Sequence, residues 1–244
     1  RQSGRRSSLR ENHGALQMSE YHVPKRIQLA RPAIKGLLRG IFHILSPVEI
    51  EGAENIPYGQ PYIVAMNHIS LFDPPFIAAF WPEMLEIIGA ATVFEKPGQK
   101  QLLKAYGVIP VHRGEYDRQL IERMLGALKA GRPLLIAPEG GRSHEIAMRK
   151  AMPGVAYIFE KAQVPIVPAA SIGTTSDYWQ RAKHGERPSL KIRIGRPINL
   201  PPLVSKGAQR RESRQRNADL VMAHLAGLLP EEYRGVYTAT AIEP

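Results

Sequence analysis

Two residues suited to acid–base chemistry, His68 and Asp73, lie five positions apart in the segment Asn67-His-Ile-Ser-Leu-Phe-Asp-Pro-Pro75. An imidazole acts as a general base near neutral pH when a carboxylate bonded to its far ring nitrogen sets its tautomer and orientation. Residues five apart on a regular helix point about 140° away from each other, so a turn must bring the two side chains together. The pair predicts a base that removes a proton from a hydroxyl group.

Asp73 also has a second interpretation. An aspartate followed by a proline is typical of a helix N-terminus, where the carboxylate caps the first turn. In that case Asp73 starts a helix at Pro74, and His68 is an ordinary polar residue at a strand end. Ser70, which lies between them, is a further candidate nucleophile.

Three other segments that include predicted strands complete the pattern. Arg113 closes the apolar run 108–111, and Glu139-Gly-Gly-Arg142 follows the run 133–137. An arginine binds phosphate through two parallel hydrogen bonds, and the N–H groups of a glycine turn also favour anions. The third segment, residues 164–169, is an apolar strand bracketed by prolines. The first two segments predict an anion-binding site at the ends of strands.

The charge of the chain favours an anionic partner. The 244 residues carry a net charge of +11, which suits nucleic acid, an anionic membrane, a phosphorylated substrate or an acidic carrier protein. The basic cluster Lys206, Arg210, Arg211, Arg214 and Arg216 is not interleaved with aromatic residues, so nucleic acid is not expected. This cluster is either a solvated helix face or a contact with anionic lipid or an acidic carrier. The absence of cysteine excludes disulfides, thiolate catalysis and Cys-based metal sites.

The N-terminal part divides into a tail and a helical segment. Residues 1–23 lack apolar periodicity and are interpreted as a flexible basic tail. Residues 24–48 are interpreted as an amphipathic helical segment. Its apolar residues at helical spacing are Ile27, Ala30, Ile34, Leu38, Ile41 and Leu45. A basic stripe, defined as Arg31, Lys35 and Arg39, predicts that this helix lies in the plane of an anionic bilayer. A surface helix packed on the core is the alternative, and the charges exclude a spanning helix.

Beyond this segment, apolar runs of strand length alternate with helical patterns. Strands are predicted at 61–66, 85–90, 108–111, 133–137, 166–172 and 190–194. Helices are predicted at 74–80, 100–106, 119–129, 155–161 and 218–229. This alternation predicts an α/β fold with a mixed, largely parallel central sheet flanked by helices, in which ligands gather at the carboxyl ends of the strands. The alternating pattern of 190–194 places that strand nearer the sheet edge.

The four motif segments resemble, in the same order, those of the glycerolipid acyltransferase family, which includes the 1-acylglycerol-3-phosphate O-acyltransferases. The segment from Asn67 to Asp73 is similar to the family's block of histidine, four residues and aspartate. The segment ending at Arg113 is similar to its acceptor-binding block, and residues 164–168 to its proline-containing fourth block. Residues 139–142 are similar to its Glu-Gly-Thr-Arg block, with glycine in place of threonine. The resemblance covers about residues 45–200, and residues 49–244 are interpreted as the acyltransferase domain.

This resemblance implies transfer of a fatty acyl group from a thioester to the free hydroxyl of a lysophospholipid, with lysophosphatidate giving phosphatidate as the expected reaction. His68 takes the hydroxyl proton in this interpretation, and Asp73 holds the ring. The other motif residues are expected to bind the acceptor: Asn67, Arg113, Glu139, Gly140, Gly141 and Arg142. No metal ion or cofactor is expected. Acyl-CoA or acyl-ACP is expected to take part as a co-substrate.

The resemblance also implies a peripheral position at the cytoplasmic face of a membrane, because the family carries membrane-associating helices where this chain has residues 24–48. The expected partners are an anionic membrane surface, a lysophospholipid acceptor and an acyl thioester donor, which includes an acyl carrier protein. Two alternatives stay open. One is acylation of a lyso-aminolipid, a lysophosphatidylglycerol or glycerol 3-phosphate. The other is a non-catalytic binder of anionic lipid or nucleic acid.

Overall fold

A central sheet of seven strands organises the part of the chain that the computed structural model describes, which is residues 21–95, 98–112, 117–203 and 207–243. The strands are β1 (Val48–Glu51), β2 (Ile63–Met66), β3 (Glu86–Ala90), β4 (Ile109–Val111), β5 (Leu134–Ile136), β6 (Ile166–Ile172) and β7 (Leu190–Ile194). Their order in the sheet is β1-β7-β6-β2-β5-β3-β4. The β6–β7 pair is antiparallel, and the five other pairs are parallel. The predicted mixed, largely parallel sheet is confirmed.

Burial explains the composition of the strands. All residues of β2 and β5 are buried, because helices cover both faces of the sheet and such strands are continuously apolar. In β7, buried and half-buried residues alternate, as its sequence predicts. This strand lies next to the edge strand β1, in agreement with its predicted position nearer the sheet edge. Sequence analysis did not predict β1, whose four residues, Val-Glu-Ile-Glu, are half-buried or exposed.

Eight helices flank the sheet within the described residues. They are α1 (Lys25–Leu45), α2 (Asp73–Phe80), α3 (Gln99–Tyr106), α4 (Arg118–Lys129), α5 (Pro153–Ala162), α6 (Tyr178–Lys183), α7 (Ala208–Gly227) and α8 (Glu231–Arg234). One apolar core lies on the side of α1, α2 and α6, and a second lies on the side of α4, α5 and α7. Alternate residues of the strands enter the two cores, as Val64 and Ala65 do.

Helix α7 begins ten residues before the predicted start at residue 218. Its first half is the basic cluster, in which Arg210 and Arg214 both form ion pairs with Glu160 on α5. These tertiary contacts stabilise a polar segment that has no apolar periodicity of its own. Lys206 lies outside the described residues, and Arg211 and Arg216 are exposed. Helices α6 and α8, of six and four residues, were not predicted.

Arg31 and Lys35 of the basic stripe face the protein and so do not provide the predicted contact with a bilayer, whereas Arg39 is exposed. The contact of the helix as a whole with a bilayer stays a prediction. Arg31 is 2% exposed and forms two hydrogen bonds of 2.6 Å with the carboxylate of Glu86. Lys35 donates to the carbonyls of Trp81 and Pro82, and Arg39 lies over the ring of Phe80. The carbonyls at the end of α2 and the buried Glu86 attract these cations, because both are negative groups that require partners.

The outer face of α1 is apolar instead. Leu29, Leu37 and Ile44 are 80%, 62% and 75% exposed, whereas Ile34 and Leu38 of the predicted pattern pack against the core. No helix among the described residues is long and apolar enough to cross a membrane.

The predicted basic tail, residues 1–23, lies outside the described residues except for its last three positions. Tyr21 donates a hydrogen bond of 2.8 Å to Glu86, and Val23 is buried. The packed part of the chain therefore begins before the predicted boundary at residue 24.

Candidate active site

Three of the motif segments meet at one edge of the sheet. Strand β2 leads into Asn67 and His68, β5 leads into Glu139, and β6 ends near Ser171. The strands β5, β2 and β6 are parallel neighbours, so their carboxyl ends lie side by side. The sheet order therefore brings together residues that are up to 104 positions apart in the chain.

His68 and Asp73 form the predicted pair. The Nδ1 atom of His68 lies 3.2 Å from Oδ2 of Asp73. The His68 side chain is 13% exposed and that of Asp73 is fully buried. Within the described part of the chain, Nε2 of His68 has no hydrogen-bond partner. A neutral ring that donates from Nδ1 to the carboxylate therefore has its Nε2 lone pair available to accept a proton.

The same carboxylate oxygen organises the loop before α2. Oδ2 of Asp73 accepts hydrogen bonds from the backbone N–H groups of Ile69, at 2.8 Å, and Ser70, at 2.6 Å. The carboxylate thus points back into the loop, and the predicted forward cap of the helix is wrong. The physical reason is that Pro74 and Pro75 have no N–H to cap, while the N–H of Phe76 donates to the Phe72 carbonyl.

The second oxygen of Asp73 faces two hydroxyl groups that sequence analysis missed. Oδ1 lies 3.0 Å from Oγ of Ser171 and also accepts a hydrogen bond from Oγ1 of Thr174. Both side chains are fully buried. The available signal was their position, because polar residues at the carboxyl end of an apolar strand in a parallel sheet are candidates for a site.

Ser70, the alternative nucleophile, is 4% exposed, and its hydroxyl accepts a hydrogen bond from the N–H of Phe72. This contact gives the hydroxyl a local role in the turn.

Asn67 joins two strand ends. Its side-chain amide donates 2.9 Å to the carbonyl of Ser171 and accepts 2.7 Å from the N–H of Ser171. The side chain is fully buried. These bonds hold β2 to β6 next to the histidine, and the expected contact of Asn67 with substrate stays a prediction.

Glu139 binds the backbone on which the histidine is carried. Oε1 of Glu139 accepts a hydrogen bond of 2.8 Å from the N–H of His68, and the N–H of Ser143 donates 2.7 Å to the His68 carbonyl. The loop 139–143 therefore clamps His68 from both sides. Burial raises the pKa of the Glu139 carboxyl, although the N–H donors of Arg149 and His68 oppose this effect. Within the described residues, Glu139 has no bond to Arg142, and its hydrogen bonds go to the backbone N–H groups of His68 and Arg149.

Gly140 allows this loop to turn tightly. Gly140 has a φ of +67°, and a Cβ at this position would lie 2.6 Å from Cγ of Met152. The carbonyl of Gly141 accepts a hydrogen bond of 2.7 Å from the guanidinium of Arg149, whose backbone N–H donates 2.8 Å to Oε2 of Glu139. Arg149 thus stabilises the loop at two points. No sequence pattern marked this residue.

Arg142 remains available for a ligand. Its side chain is partly exposed, and among the described residues its guanidinium has neither an ion pair nor a hydrogen bond. Arg113, the other cation expected to bind phosphate, lies outside the described residues. No cluster of three or more His, Asp or Glu side chains in the described part of the chain is arranged to hold a metal ion.

A comparison with known families now gives this geometry a context. Residues 47–172 match the family model named Acyltransferase, and the matched region contains His68, Asp73 and residues 139–142. The chain belongs to the acyltransferase family.

Curated relatives point in the same direction. The chain is 26% identical over 163 residues to 1-acyl-sn-glycerol-3-phosphate acyltransferase alpha of Homo sapiens, which covers 66% of this chain and 56% of the relative. It is 25% identical over 173 residues to 1-acyl-sn-glycerol-3-phosphate acyltransferase of Pseudomonas aeruginosa, which covers 68% of this chain and 66% of the relative. The aligned part thus spans little more than half of the human relative.

A solved structure shares the fold. The crystal structure of the 1-acyl-sn-glycerophosphate (LPA) acyltransferase PlsC from Thermotoga maritima superposes with a TM-score of 0.57 at 23% sequence identity. The superposition covers 80% of this chain and 79% of that chain. The α/β architecture of this acyltransferase is therefore the one found in that enzyme.

Proposed function

We propose that this acyltransferase moves a fatty acyl group from an acyl thioester to the free hydroxyl of lysophosphatidate and so forms phosphatidate. The observation that carries the proposal is the contact of His68 with the buried carboxylate of Asp73, in a site that also contains Arg142, which has no partner among the described residues. The names of the curated relatives support the choice of acceptor.

In the proposed reaction, Nε2 of His68 removes the proton of the acceptor hydroxyl while its oxygen attacks the thioester carbonyl. A carbon–oxygen bond forms, and collapse of the tetrahedral intermediate breaks the carbon–sulfur bond. The imidazolium then returns the proton to the leaving thiolate, which departs as a thiol. Asp73 stabilises the imidazolium between these steps, because the two charges are opposite and adjacent. The step requires no cofactor.

Arg142 is proposed to bind the acceptor phosphate, together with Arg113. A guanidinium forms two parallel hydrogen bonds with phosphate, and no residue in the described ranges occupies the donors of Arg142. Because Ser143 bonds to the His68 carbonyl, residue 142 is held one position from the catalytic backbone. Gly140 and Gly141 are proposed to allow the loop to approach the phosphate, and Glu139 is proposed to hold the loop in place.

An acceptor panel tests this function. Purified protein is incubated with a radiolabelled acyl thioester of coenzyme A or of acyl carrier protein, and with one acceptor at a time. The acceptors are lysophosphatidate, lysophosphatidylglycerol, a lyso-aminolipid, glycerol 3-phosphate and, as a phosphate-free control, monoacylglycerol. We expect the highest kcat/KM with lysophosphatidate. Preference for another acceptor would reassign the substrate, and no transfer to any acceptor would refute the enzymatic function.

The phosphate role of Arg142 has a separate test. The Arg142→Gln variant should raise the KM for lysophosphatidate about tenfold or more, because charge-assisted hydrogen bonds contribute about 1.5–3 kcal/mol each. The KM for the thioester should not change. Arg196→Gln, at an exposed arginine beyond β7, is the matched control and should leave both values unchanged. An unchanged KM for lysophosphatidate in Arg142→Gln would remove this residue from the phosphate site.

We also propose that the outer face of α1 contacts an anionic membrane surface, in a peripheral position at the cytoplasmic leaflet. Leu29, Leu37 and Ile44 expose apolar side chains on a helix that contains no acidic residue. The net charge of +11 suits the anionic lipids of that leaflet. The apolar residues, rather than the basic stripe, therefore provide the proposed contact.

Vesicle binding tests the proposed contact of the outer face of α1. The double variant Leu37→Glu/Ile44→Glu should bind vesicles that contain anionic lipid at least about tenfold more weakly, because burying one such side chain contributes about 1.5–3 kcal/mol. Val236→Glu changes a side chain that is 65% exposed near α8 and serves as the control. Undiminished binding of the double variant would refute the proposed membrane face.

A further inference from the structure

Ser171 and Thr174 surround an oxygen of the catalytic carboxylate that the sequence motif leaves without a partner. We propose that they are positioning residues, which hold Asp73 through Oδ1 so that Oδ2 stays in contact with Nδ1 of His68. The kinetic consequence of this inference rests on the proposed acyl transfer, whereas its structural consequence does not.

The contacts form a closed triangle. Oγ of Ser171 lies 3.0 Å from Oδ1 of Asp73 and 3.1 Å from Oγ1 of Thr174, and Thr174 also bonds to Oδ1. Each hydroxyl has one proton, so at most two of these three contacts are hydrogen bonds at one time. In every arrangement that uses both protons within the triangle, Oδ1 receives at least one of them. All three side chains are fully buried, so water does not compete for these donors.

The fold holds both hydroxyls in place by independent means. The amide of Asn67 bonds to the N–H and the carbonyl of Ser171, which sets the backbone of this residue at the end of β6. Gly173 then turns the chain with a φ of +92°, and its N–H donates to the hydroxyl of Tyr233. A Cβ at Gly173 would lie 2.2 Å from the Ser189 carbonyl. This turn therefore directs Thr174 toward Asp73.

The histidine contact depends most on this positioning. Oδ2 accepts from Ile69 at 2.8 Å, from Ser70 at 2.6 Å and from His68 at 3.2 Å, so the histidine bond is the longest of the three. Without donors at Oδ1, rotation of the carboxylate would optimise the two short backbone bonds at the expense of the long one. Hydrogen bonds weaken with distance and misalignment, so the imidazole would lose its orientation first.

The kinetic test uses an isosteric pair at one position. Thr174→Val removes the hydroxyl and keeps the shape of the side chain, whereas Thr174→Ser keeps the hydroxyl. We expect kcat to fall about 10- to 100-fold in Thr174→Val, as small displacements of catalytic groups do, with the KM of both substrates unchanged. Thr174→Ser should restore most of the activity. Thr175→Val is the matched control, because the Thr175 hydroxyl bonds to Asp177 and not to Asp73.

A spectroscopic test is independent of the substrate. In the wild-type protein, the proton on Nδ1 of His68 should give a downfield NMR signal, which is assigned by its absence in His68→Ala. The signal should shift or broaden in Thr174→Val, and further in Ser171→Ala/Thr174→Val. It should not change in Thr175→Val. Thermal unfolding of every variant identifies any that does not fold, in which case Thr174→Val and Ser171→Ala are measured separately.

The outcomes separate this inference from the proposed function. If the wild-type enzyme transfers acyl groups, a double variant with kcat within twofold of wild type overturns the positioning role, whatever its spectrum. If the wild-type protein transfers none, the proposed function fails and the NMR signal alone decides. An unchanged signal in the double variant then overturns the inference.

Discussion

Two carboxylates, Asp73 and Glu86, are fully buried at opposite edges of the same sheet, and their partners differ in kind. Glu86 opens β3 at the amino-terminal edge and binds Arg31 through two bonds of 2.6 Å, Arg132 at 3.2 Å and the Tyr21 hydroxyl at 2.8 Å. Asp73 lies at the carboxyl-terminal edge. Among the described residues, its partners are two backbone N–H groups, two hydroxyls and one imidazole.

The difference teaches what each carboxylate does. Burial alone would lower the pKa of Arg31, but its bonds to Glu86 outweigh this effect and raise that pKa, so the cation is permanent. A permanent pair joins α1 to β3 and has no charge to offer a reaction. Asp73 has no permanent cation within the described residues, so it can stabilise a positive charge that appears on His68 during turnover.

The largest expected effect is the loss of the base. His68→Ala should lower kcat about 10³- to 10⁴-fold, because a general base contributes up to that factor. The free energy of unfolding should change by less than about 1 kcal/mol, since the ring makes a single hydrogen bond in the described structure. Single-turnover acyl transfer and chemical denaturation measure the two quantities. His184→Ala, at an exposed histidine after α6, is the control. If His68→Ala retained most of the activity, the proposed role of the His68–Asp73 pair in catalysis would be contradicted.

The other carboxylate should show the opposite pattern. Glu86→Gln leaves Arg31 buried without its counter-charge and should lower the free energy of unfolding by about 3–5 kcal/mol. The kcat per folded molecule should stay within about twofold of wild type. Urea denaturation measures the stability, and steady-state kinetics corrected for the folded fraction measure the turnover. Wild-type stability in this variant would mean that the Glu86 cluster does not join α1 to the sheet.

A third buried carboxylate, Glu139, sharpens the comparison because backbone N–H groups are its principal partners. The two carboxylate oxygens of Glu139 each accept from a backbone N–H group, whereas the amide of Glu139→Gln has only one oxygen and turns an NH₂ group toward the other donor. We therefore expect a loss of about 1–3 kcal/mol in the free energy of unfolding. Burial raises the folded-state pKa of this acid, so the folded protein binds its proton more tightly than the unfolded chain does. The free energy of unfolding of the wild type, relative to that of Glu139→Gln, should therefore fall as the pH rises from the glutamate pKa of the unfolded chain, about 4.3, through the raised pKa of the folded protein. Denaturation at several pH values from 4 upward measures this difference, and a difference independent of pH would contradict the assignment.

The smallest effect is expected at a partly exposed carboxylate, Glu51. Hydrogen bonds from Lys191 and Arg193 lower the pKa of Glu51 to about 2. The side chain is 41% exposed, so solvent screens these pairs and Glu51→Gln should lose less than about 1 kcal/mol of stability. Because the folded-state pKa is depressed, this contribution is present above the unfolded value and is lost as the pH falls toward 2. Thermal denaturation at neutral and acid pH measures this contribution. A loss of stability as large as that of Glu86→Gln would show that burial does not determine how much a carboxylate contributes to stability.

Much of the fold could be predicted because its strands are apolar runs of strand length. The strand predicted at 166–172 agrees with β6, and that at 190–194 with β7. The orientation of α1 was not predictable in the same way. Apolar residues lie on both sides of this helix, and the choice between them depends on Glu86, which is 55 positions away from Arg31.

The candidate site could also be predicted only in part, because some of its contacts join residues that are distant in the sequence. The motif spacing placed His68 next to Asp73, since a loop of four residues leaves few other geometries. The partners of Oδ1 come from 98 and 101 positions along the chain, and only the order of the strands in the sheet brings them close. Arg149 reaches the loop 139–143 through a connection without regular secondary structure, for which sequence gives no periodic signal.

The most direct test of the central claim compares turnover per folded molecule in Asp73→Asn and Glu86→Gln. The two variants make the same chemical change, from carboxylate to amide, at two fully buried positions. Asp73→Asn should lower kcat about 10²- to 10⁴-fold, and Glu86→Gln should leave it within about twofold of wild type. Equal turnover in the two variants would contradict the claim that only Asp73 stabilises charge on His68.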